Sequence, residues 1–167
     1  GVAGFIGSHI AEKLLQEGQE VVGLDNLNAY YDVTLKKARL ERILHHPNFR
    51  FVKVDVADRD QFPKVFHDFN FDMIIHMAAQ PGVRYSLECP ESYIDNNLVA
   101  FGNLLECCRQ HNIAHLIYAS SSSVYGNNQV IPFSEQDQVD QPISLYAATK
   151  KANELMAYCY AHLYGLP

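Results

Sequence analysis

The sequence predicts an α/β protein with a doubly wound parallel sheet, and three observations lead to this prediction. Short apolar segments of strand length alternate along the 167 residues with longer segments of helical periodicity. The apolar segments are continuous, which is typical of parallel strands that are buried on both faces. Glycines, acids and serines follow these segments at one end, where ligands bind in sheets of this kind.

Composition narrows the class of protein further. Apolar residues make up 48% and charged residues 19%, which indicates a globular chain of one-domain size. The net charge of −6 argues against nucleic acid as a partner. No apolar stretch approaches the ~20 residues of a membrane span, so no membrane contact is expected. The four cysteines have no metal-binding spacing and are expected to be reduced thiols of a cytoplasmic protein.

The elements follow from periodicity and from breaker residues. The predicted helices run from Ser8 to Glu17, Asp32 to His45, Asp58 to Phe66, Pro90 to Gln110 and Leu145 to Tyr164. The predicted strands run from Glu20 to Leu24, Phe49 to Val54, Phe71 to His76 and Ala114 to Ala119. In the second helix we expect four residues to face inward, namely Leu35, Ala38, Leu40 and Ile43.

The first seven residues place three glycines at intervals of three directly before a helix, in the order Gly1, Gly4 and Gly7. Glycine permits a crowded backbone, and a helix N-terminus offers free N–H groups with a partial positive charge. These features predict a pyrophosphate site that a side chain at Gly1 or Gly4 would block. We expect Gly7 to let the helix pack closely on the sheet. The dinucleotide fingerprint reads GxGxxG and this turn reads GxxGxxG, so a purely structural turn remains an alternative.

An acidic residue follows the first predicted strand at the place where a dinucleotide site needs one. Asp25 stands 18 residues after Gly7 and would accept both hydroxyls of an adenosine ribose. It would repel a 2′-phosphate, which favours NAD over NADP. The alternative is that Asp25 caps the next helix. Three further positions follow the later strands, namely Asp55, the stretch 77–79 and the serines 120–123. Together with the glycine turn and Asp25, they make five positions that converge on one edge of the sheet.

Tyr146 and Lys150 lie four residues apart, on one face of the last predicted helix. A free tyrosine has a pKa near ~10, and a neighbouring ammonium would favour the phenolate and allow Tyr146 to act as a base. Ser121, after the preceding strand, would supply a hydroxyl to the same substrate oxygen. The pair alone is common on helix surfaces, but the glycine turn and Asp25 favour the catalytic interpretation.

Together these motifs resemble the extended short-chain dehydrogenase/reductases, and specifically the NAD-dependent nucleotide-sugar epimerases. The resemblance rests on the segments 1–9, 24–27, 76–79, 95–97, 120–126 and 146–150, which occur in the family's order. Segments 28–32, 80–86 and 119–126 resemble the UDP-glucuronate 4-epimerases of capsule and O-antigen pathways. The resemblance implies a partial Rossmann-type NAD-binding domain over residues 1–167, a fragment without its first strand and without the C-terminal substrate domain. We expect such a fragment alone to be inactive.

The resemblance also implies a mechanism and a set of site residues. Tyr146, aided by Lys150 and Ser121, would take the proton of the sugar's 4-hydroxyl while C4 gives hydride to NAD. The 4-keto sugar would then take the hydride back on its other face. The implied cofactor positions are Gly1, Gly4, Phe5, Ile6, Gly7, Asp25, Asn26, Asp55, Val56, Met77, Ala78, Ala79, Asn96, Tyr146 and Lys150. The implied substrate positions are Val83, Arg84, Ser121, Ser123 and Tyr146. Arg84 would meet a sugar carboxylate, unless it is a surface arginine. No metal ligand is implied.

Several alternatives stay open. The related 4,6-dehydratases need an acid pair where this chain has Ser122 and Ser123, so dehydration is disfavoured. The substrate would then be a UDP-hexuronate or a neutral sugar such as UDP-glucose or UDP-N-acetylglucosamine. A non-catalytic dinucleotide-binding module is the alternative of another class. The resemblance further implies a homodimer built through the two long helices.

Overall fold

The computed structural model describes residues 1–167, and its elements alternate as predicted. The helices are α1 (Phe5–Gln16), α2 (Val33–Leu44), α3 (Phe62–Asp68), α4 (Tyr85–Glu88), α5 (Pro90–Tyr93), α6 (Ala100–Gln110) and α7 (Leu145–Tyr164). A π-helical segment (Ile94–Val99) joins α5 to α6, and a 3-10 turn (Ser122–Tyr125) follows the last strand. The strands are β1 (Val21–Asp25), β2 (Phe49–Lys53), β3 (Met73–His76) and β4 (His115–Tyr118). None of the helices combines the length and the hydropathy that crossing a membrane requires.

All strand pairing is parallel, which confirms the predicted class of sheet. β1 pairs with β2 over their whole length, and β3 pairs with β4 in the same way. The four strands form two pairs and not one continuous sheet. A groove of about 850 Å³ lies between the pairs and is bordered by the facing edges of β1 and β3.

Two apolar clusters cover opposite faces of the strands. One cluster is centred on Phe62 and Phe101, from α3 and α6, and the other is centred on Leu15 and Leu40, from α1 and α2. The residues of β1 divide between them, because successive side chains of a strand point to opposite faces. Val21 packs against the second cluster, whereas Leu24 packs against the first. Helices therefore cover both faces, as a doubly wound fold requires.

The predicted inner face of α2 is partly wrong. Leu40 and Ile43 are buried as expected, but Leu35 is 52% exposed and Ala38 is also on the surface. Lys36 takes the inward position and is only 6% exposed. Apolar periodicity missed this residue because the Lys36 ammonium has polar partners inside the protein, which makes its burial tolerable.

Two predicted helices differ from the observed ones at specific points. Asp58 does not begin α3; its carboxylate accepts hydrogen bonds from the N–H groups of Asp60 and Gln61, both at 2.9 Å, before the helix starts at Phe62. The predicted helix from Pro90 to Gln110 is helical throughout, but its π-helical segment inserts a wider turn between α5 and α6. π-Helical turns of this kind occur frequently at functional sites.

Gly7 should tolerate no side chain, whereas Gly102 should. A Cβ at Gly7 would overlap the Gly1 carbonyl oxygen, but a Cβ at Gly102, in the first turn of α6, would lie 3.5 Å from the Met156 methyl carbon, an ordinary contact. Gly7→Ala should therefore lower the free energy of unfolding by about 1–3 kcal/mol, the usual cost of overpacking. Gly102→Ala should be neutral or stabilising by up to about 1 kcal/mol. Chemical denaturation of both variants tests this, and equal effects would contradict it.

Candidate active site

A cavity of about 590 Å³ lies at the carboxyl ends of the strands. Every position that the resemblance implied for the cofactor lines this cavity, from the glycine turn and Asp25 to Tyr146 and Lys150. The polar edge of the sheet that the sequence predicted is thus a single continuous cavity. Because its lining comes from the ends of all four strands and from α1 and α7, the fold as a whole determines its shape.

The glycine turn brings the N-terminus of α1 to this cavity. Gly4 is the N-cap, no side chain caps the helix, and the first turn contains no acidic residue. The first N–H groups of α1 are therefore available to an anion. A Cβ at Gly1 would lie 2.7 Å from the Ala78 nitrogen, so the turn packs directly on the backbone that follows β3. The expectation for Gly7 is corrected here, since it makes room for the Gly1 carbonyl and not for the sheet.

Asp25 is held at the end of β1 by main-chain donors. Its carboxylate accepts hydrogen bonds from the N–H groups of Ala3 at 3.1 Å and Leu27 at 2.8 Å. The alternative that Asp25 caps the next helix is wrong, because the N-cap of α2 is Asp32, whose carboxylate accepts from the Thr34 N–H at 2.9 Å. Asp25 is thus fixed in the cavity wall by the same turn that exposes the start of α1.

Tyr146 and Lys150 both line the cavity from the first turns of α7. Lys150 is only 4% exposed, and its ammonium donates a hydrogen bond to the Ala119 carbonyl at 3.1 Å. Burial lowers the pKa of Lys150 from 10.5 to about 8, so the side chain is still mostly protonated at neutral pH. The Tyr146 ring packs edge-on against Tyr93, with centroids 6.1 Å apart. The structure therefore supplies a phenol and a cation in one cavity wall.

The other implied substrate positions lie outside this cavity. The Ser121 hydroxyl accepts a hydrogen bond from the Ser123 N–H at 3.1 Å and so caps the 3-10 turn. Val83 and Arg84 are exposed on the loop before α4. Ser120, which the sequence analysis did not single out, lines the cavity instead, and its hydroxyl donates to the Glu154 carboxylate at 2.6 Å.

A buried hydrogen-bond network joins the loop after β3 to the helix of Tyr146. The Asn97 side chain, in the π-helical segment, accepts from the Gln80 N–H at 2.7 Å and donates to the Gln80 carbonyl at 3.1 Å and the Thr149 hydroxyl at 3.0 Å. Thr149 in turn donates to the Tyr146 carbonyl at 2.8 Å. The neighbouring Asn96 lines the cavity. Sequence reasoning chose Asn96 and missed Asn97, because a wide turn within a helix leaves no mark in the apolar pattern.

Sequence reasoning also missed two cations of the cavity wall, Lys36 and Arg39 in α2. The signal for Lys36 was Asp25 itself, since a carboxylate predicted at a buried strand end needs a partner of opposite charge.

The cavity at the strand ends combines a free helix N-terminus with a tyrosine and a buried lysine, which are the features that the resemblance to the short-chain dehydrogenase/reductases implied. More particularly, the chain belongs to the GDP-mannose 4,6 dehydratase family, which it matches over residues 1–167.

The chain is similar to several proteins that are named as nucleotide-sugar epimerases. It is 49% identical over 167 residues to a probable UDP-glucuronate 4-epimerase of Rhizobium meliloti, covering 100% of this chain and 49% of that protein. The structure of a Bacillus cereus UDP-glucuronic acid 4-epimerase in complex with UDP-glucuronic acid and NAD superposes with a TM-score of 0.90 at 32% identity, covering 99% of this chain and 52% of the other. A Thermus thermophilus UDP-glucose 4-epimerase complex with NAD gives 0.84 at 36% identity, with 98% and 50% covered. The chain spans about half the length of the curated relatives it matches.

The buried Lys150 ammonium should make stability depend on pH in a specific window. Because its folded pKa of about 8 lies below the unfolded value of 10.5, the unfolded state binds more protons between these values, and stability rises with pH there. Lys150→Met should remove this rise, which amounts to up to about 3 kcal/mol. Denaturant titrations of the wild-type protein and of Lys150→Met at several pH values measure the difference in their free energies of unfolding. A constant difference from pH 7 to 11 would contradict the prediction.

Loss of the Asn97 amide should leave several buried polar groups without partners. Asn97→Leu would free the N–H and carbonyl of Gln80 and remove one partner of Thr149, at about 1–3 kcal/mol for each buried group left unpaired. Asn103→Leu is the matched control, because the Asn103 side chain donates a single hydrogen bond, to the Val56 carbonyl at 2.9 Å. Thermal denaturation should show the larger loss for Asn97→Leu, and the reverse order would overturn the importance of the network.

Proposed function

We propose that this chain is the cofactor-binding part of an NAD-dependent nucleotide-sugar epimerase that interconverts UDP-glucuronate and UDP-galacturonate through a 4-keto intermediate. One observation carries the proposal, namely that a single cavity contains both the anion-binding start of α1 and the pair of Tyr146 and Lys150. The Bacillus cereus relative, whose structure contains UDP-glucuronic acid and NAD, supports the choice of cofactor and sugar. In this proposal residues 1–167 form the Rossmann-type NAD-binding domain.

The residues of the cavity fit NAD in chemistry as well as in position. The first N–H groups of α1 suit a pyrophosphate, and a side chain at Gly1 could not be accommodated against Ala78. Asp25 and Asn26 would hold the adenosine ribose, and Asp55 with Val56 would border the adenine. Met77, Ala78, Ala79 and Asn96 would line the remainder of the cofactor channel, and Lys150 would also bind the nicotinamide ribose.

Tyr146 would act as the base that takes the proton of the sugar's 4-hydroxyl. Lys150 lies one helical turn after Tyr146 and brings its buried ammonium to the same cavity wall. NAD, when bound, accepts hydride from C4 and returns it, so each cycle regenerates the cofactor. We keep Ser121 and Ser123 as substrate-binding residues of the complete protein, with Ser121 assisting Tyr146. Val83 and Arg84 would meet the sugar, with Arg84 on its carboxylate.

Epimerisation is a better proposal than dehydration, although the family takes its description from a dehydratase. In the related 4,6-dehydratases, elimination of a 6-hydroxyl needs an acid pair that follows a threonine, and this chain has Ser122 and Ser123 at those positions. Hydroxyl groups cannot replace a carboxylate as the base at neutral pH.

A neutral sugar is the second candidate substrate, and one observation favours it. Arg84 lies outside the cavity, so residues 1–167 present no cation that is committed to a sugar carboxylate. The Thermus thermophilus relative is a UDP-glucose 4-epimerase. The non-catalytic dinucleotide-binding module remains the alternative of another class, and the placement of Tyr146 and Lys150 in one wall argues against it.

The setting of the protein is also a proposal. We infer a cytoplasmic homodimer that serves capsule or O-antigen polysaccharide synthesis. In α7, Tyr158 is 74% exposed and Leu163 is 60% exposed, which suits a helix-to-helix interface. Ala100 and Phe101 of α6 cannot contribute to that surface, because both are buried in the monomer.

The test uses the full-length protein with UDP-glucuronate and no added cofactor, followed by proton NMR. We expect UDP-galacturonate to appear, and we expect Tyr146→Phe to slow its formation by about 100-fold or more. Tyr164→Phe, at the exposed end of the same helix and away from the cavity, is the matched control and should retain full activity. Turnover of UDP-glucose alone would replace the substrate proposal with the neutral sugar. Bound NAD without any turnover would favour the binding module.

A further inference from the structure

Lys36 is a buried cation that the proposed reaction does not use. It lies on the inner face of α2 with 6% of its surface exposed, and lysine is almost never buried unless it is paired. Its ammonium is 3.8 Å from the Asp25 carboxylate and donates a hydrogen bond to the Asn28 side-chain oxygen at 2.8 Å. The ion pair thus lies within the wall of the cavity, at the carboxylate that the proposed function assigns to the adenosine ribose.

A second cation follows one turn later on the same face of α2. The Arg39 guanidinium donates to the Tyr31 hydroxyl at 2.9 Å and to the Ala3 carbonyl at 3.4 Å. Both cations lie against the Tyr31 ring, with Lys36 at 5.1 Å and Arg39 at 5.7 Å from its centroid. Because residues three apart on a helix are neighbours, Lys36 and Arg39 present their charges to the same part of the cavity.

The charges around Asp25 are not balanced. Asp25 faces Lys36 directly. Arg39 donates to the carbonyl of Ala3, and the N–H of Ala3 donates to Asp25. The other carboxylate of the cavity, Asp55, accepts a hydrogen bond from the Asn26 amide at 2.9 Å and forms no ion pair with Lys36 or Arg39. Two cations therefore accompany Asp25 at this place. An ammonium and a guanidinium are the groups that bind phosphate oxygens, and the Asp25 charge is the one that directly opposes a phosphate beside them.

We propose that Lys36 determines cofactor specificity at the adenosine end: it neutralises Asp25 in the NAD-binding protein and, with Arg39, forms a latent site for the 2′-phosphate of NADP. The proposal rests on the proposed binding of a dinucleotide, but not on epimerisation. It refines the expectation from the sequence, in which Asp25 alone excluded the phosphate. In this arrangement the selectivity depends on the balance between one anion and two cations that are already in place.

The test is the ratio of dissociation constants for NADP and NAD, measured by calorimetry on nucleotide-free full-length protein. Asp25→Asn keeps the size of the side chain and removes its charge, together with one of the two acceptors that the Ala3 and Leu27 N–H groups use. It should shift the ratio toward NADP by about tenfold or more, as expected for a hydrogen bond to a charged group. Adding Lys36→Met to Asp25→Asn should reverse most of this shift. Adding Lys37→Met should leave it unchanged, because Lys37 is the neighbouring exposed lysine and does not line the cavity.

Further variants keep the test decisive if Lys36→Met disturbs folding. Arg39→Met should also reduce the shift in the Asp25→Asn background, whereas Lys36→Arg should preserve it. An unchanged ratio in Asp25→Asn, or equal effects of Lys36→Met and Lys37→Met, would overturn the inference. If the wild-type protein binds neither dinucleotide, the proposed cofactor fails, whereas binding of both with an unmoved ratio contradicts only the role of Lys36.

Discussion

The glycine turn packs its backbone against the backbone that follows β3, and the geometry of the cavity depends on this contact. A Cβ added to Gly1 would lie only 2.7 Å from the Ala78 nitrogen, so the two segments can approach this closely only because Gly1 has no side chain. The contact sets the first N–H groups of α1 beside the ends of β1 and β3. Val2 reinforces it, because its N–H donates to the Leu24 carbonyl of β1 at 3.0 Å. The anion-binding part of the site is thus built from main-chain atoms.

The part of the site around Tyr146 is built differently, from side-chain hydrogen bonds in the core. Asn97 joins its own segment to two others, the loop of Gln80 and helix α7, and the Asn153 side chain of α7 also donates to the Asn97 carbonyl at 2.7 Å. The two parts are therefore sensitive to opposite changes. Added atoms disturb the glycine turn, whereas a lost polar atom disturbs the network of Asn97.

Much of the fold and of the cofactor cavity could be predicted from the sequence, because local backbone requirements determine them. Glycine spacing and strand ends placed Gly1, Asp25 and Asp55 at one edge, and all three line the cavity. What the sequence could not predict is how side chains point and what they meet. Ser121 follows a strand as expected, and the strand end does not predict that its hydroxyl accepts from the Ser123 N–H. Lys36 looks like a surface residue in any hydropathy pattern, and only its distant partner Asp25 accounts for its burial.

The π-helical segment takes up one extra residue in the long helix with little change in the phase of the flanking turns. Each residue of an α-helix turns the chain by about 100°, and a π-helical turn accommodates one residue more than an α-helical one. Removal of one residue between Ile94 and Val99 would therefore restore a regular helix and keep the buried Tyr93 and Phe101 facing the core. The deletion would instead change the local backbone from which Asn97 reaches Gln80 and Thr149. The extra residue thus serves the buried network of Asn97 and not the packing of the helix.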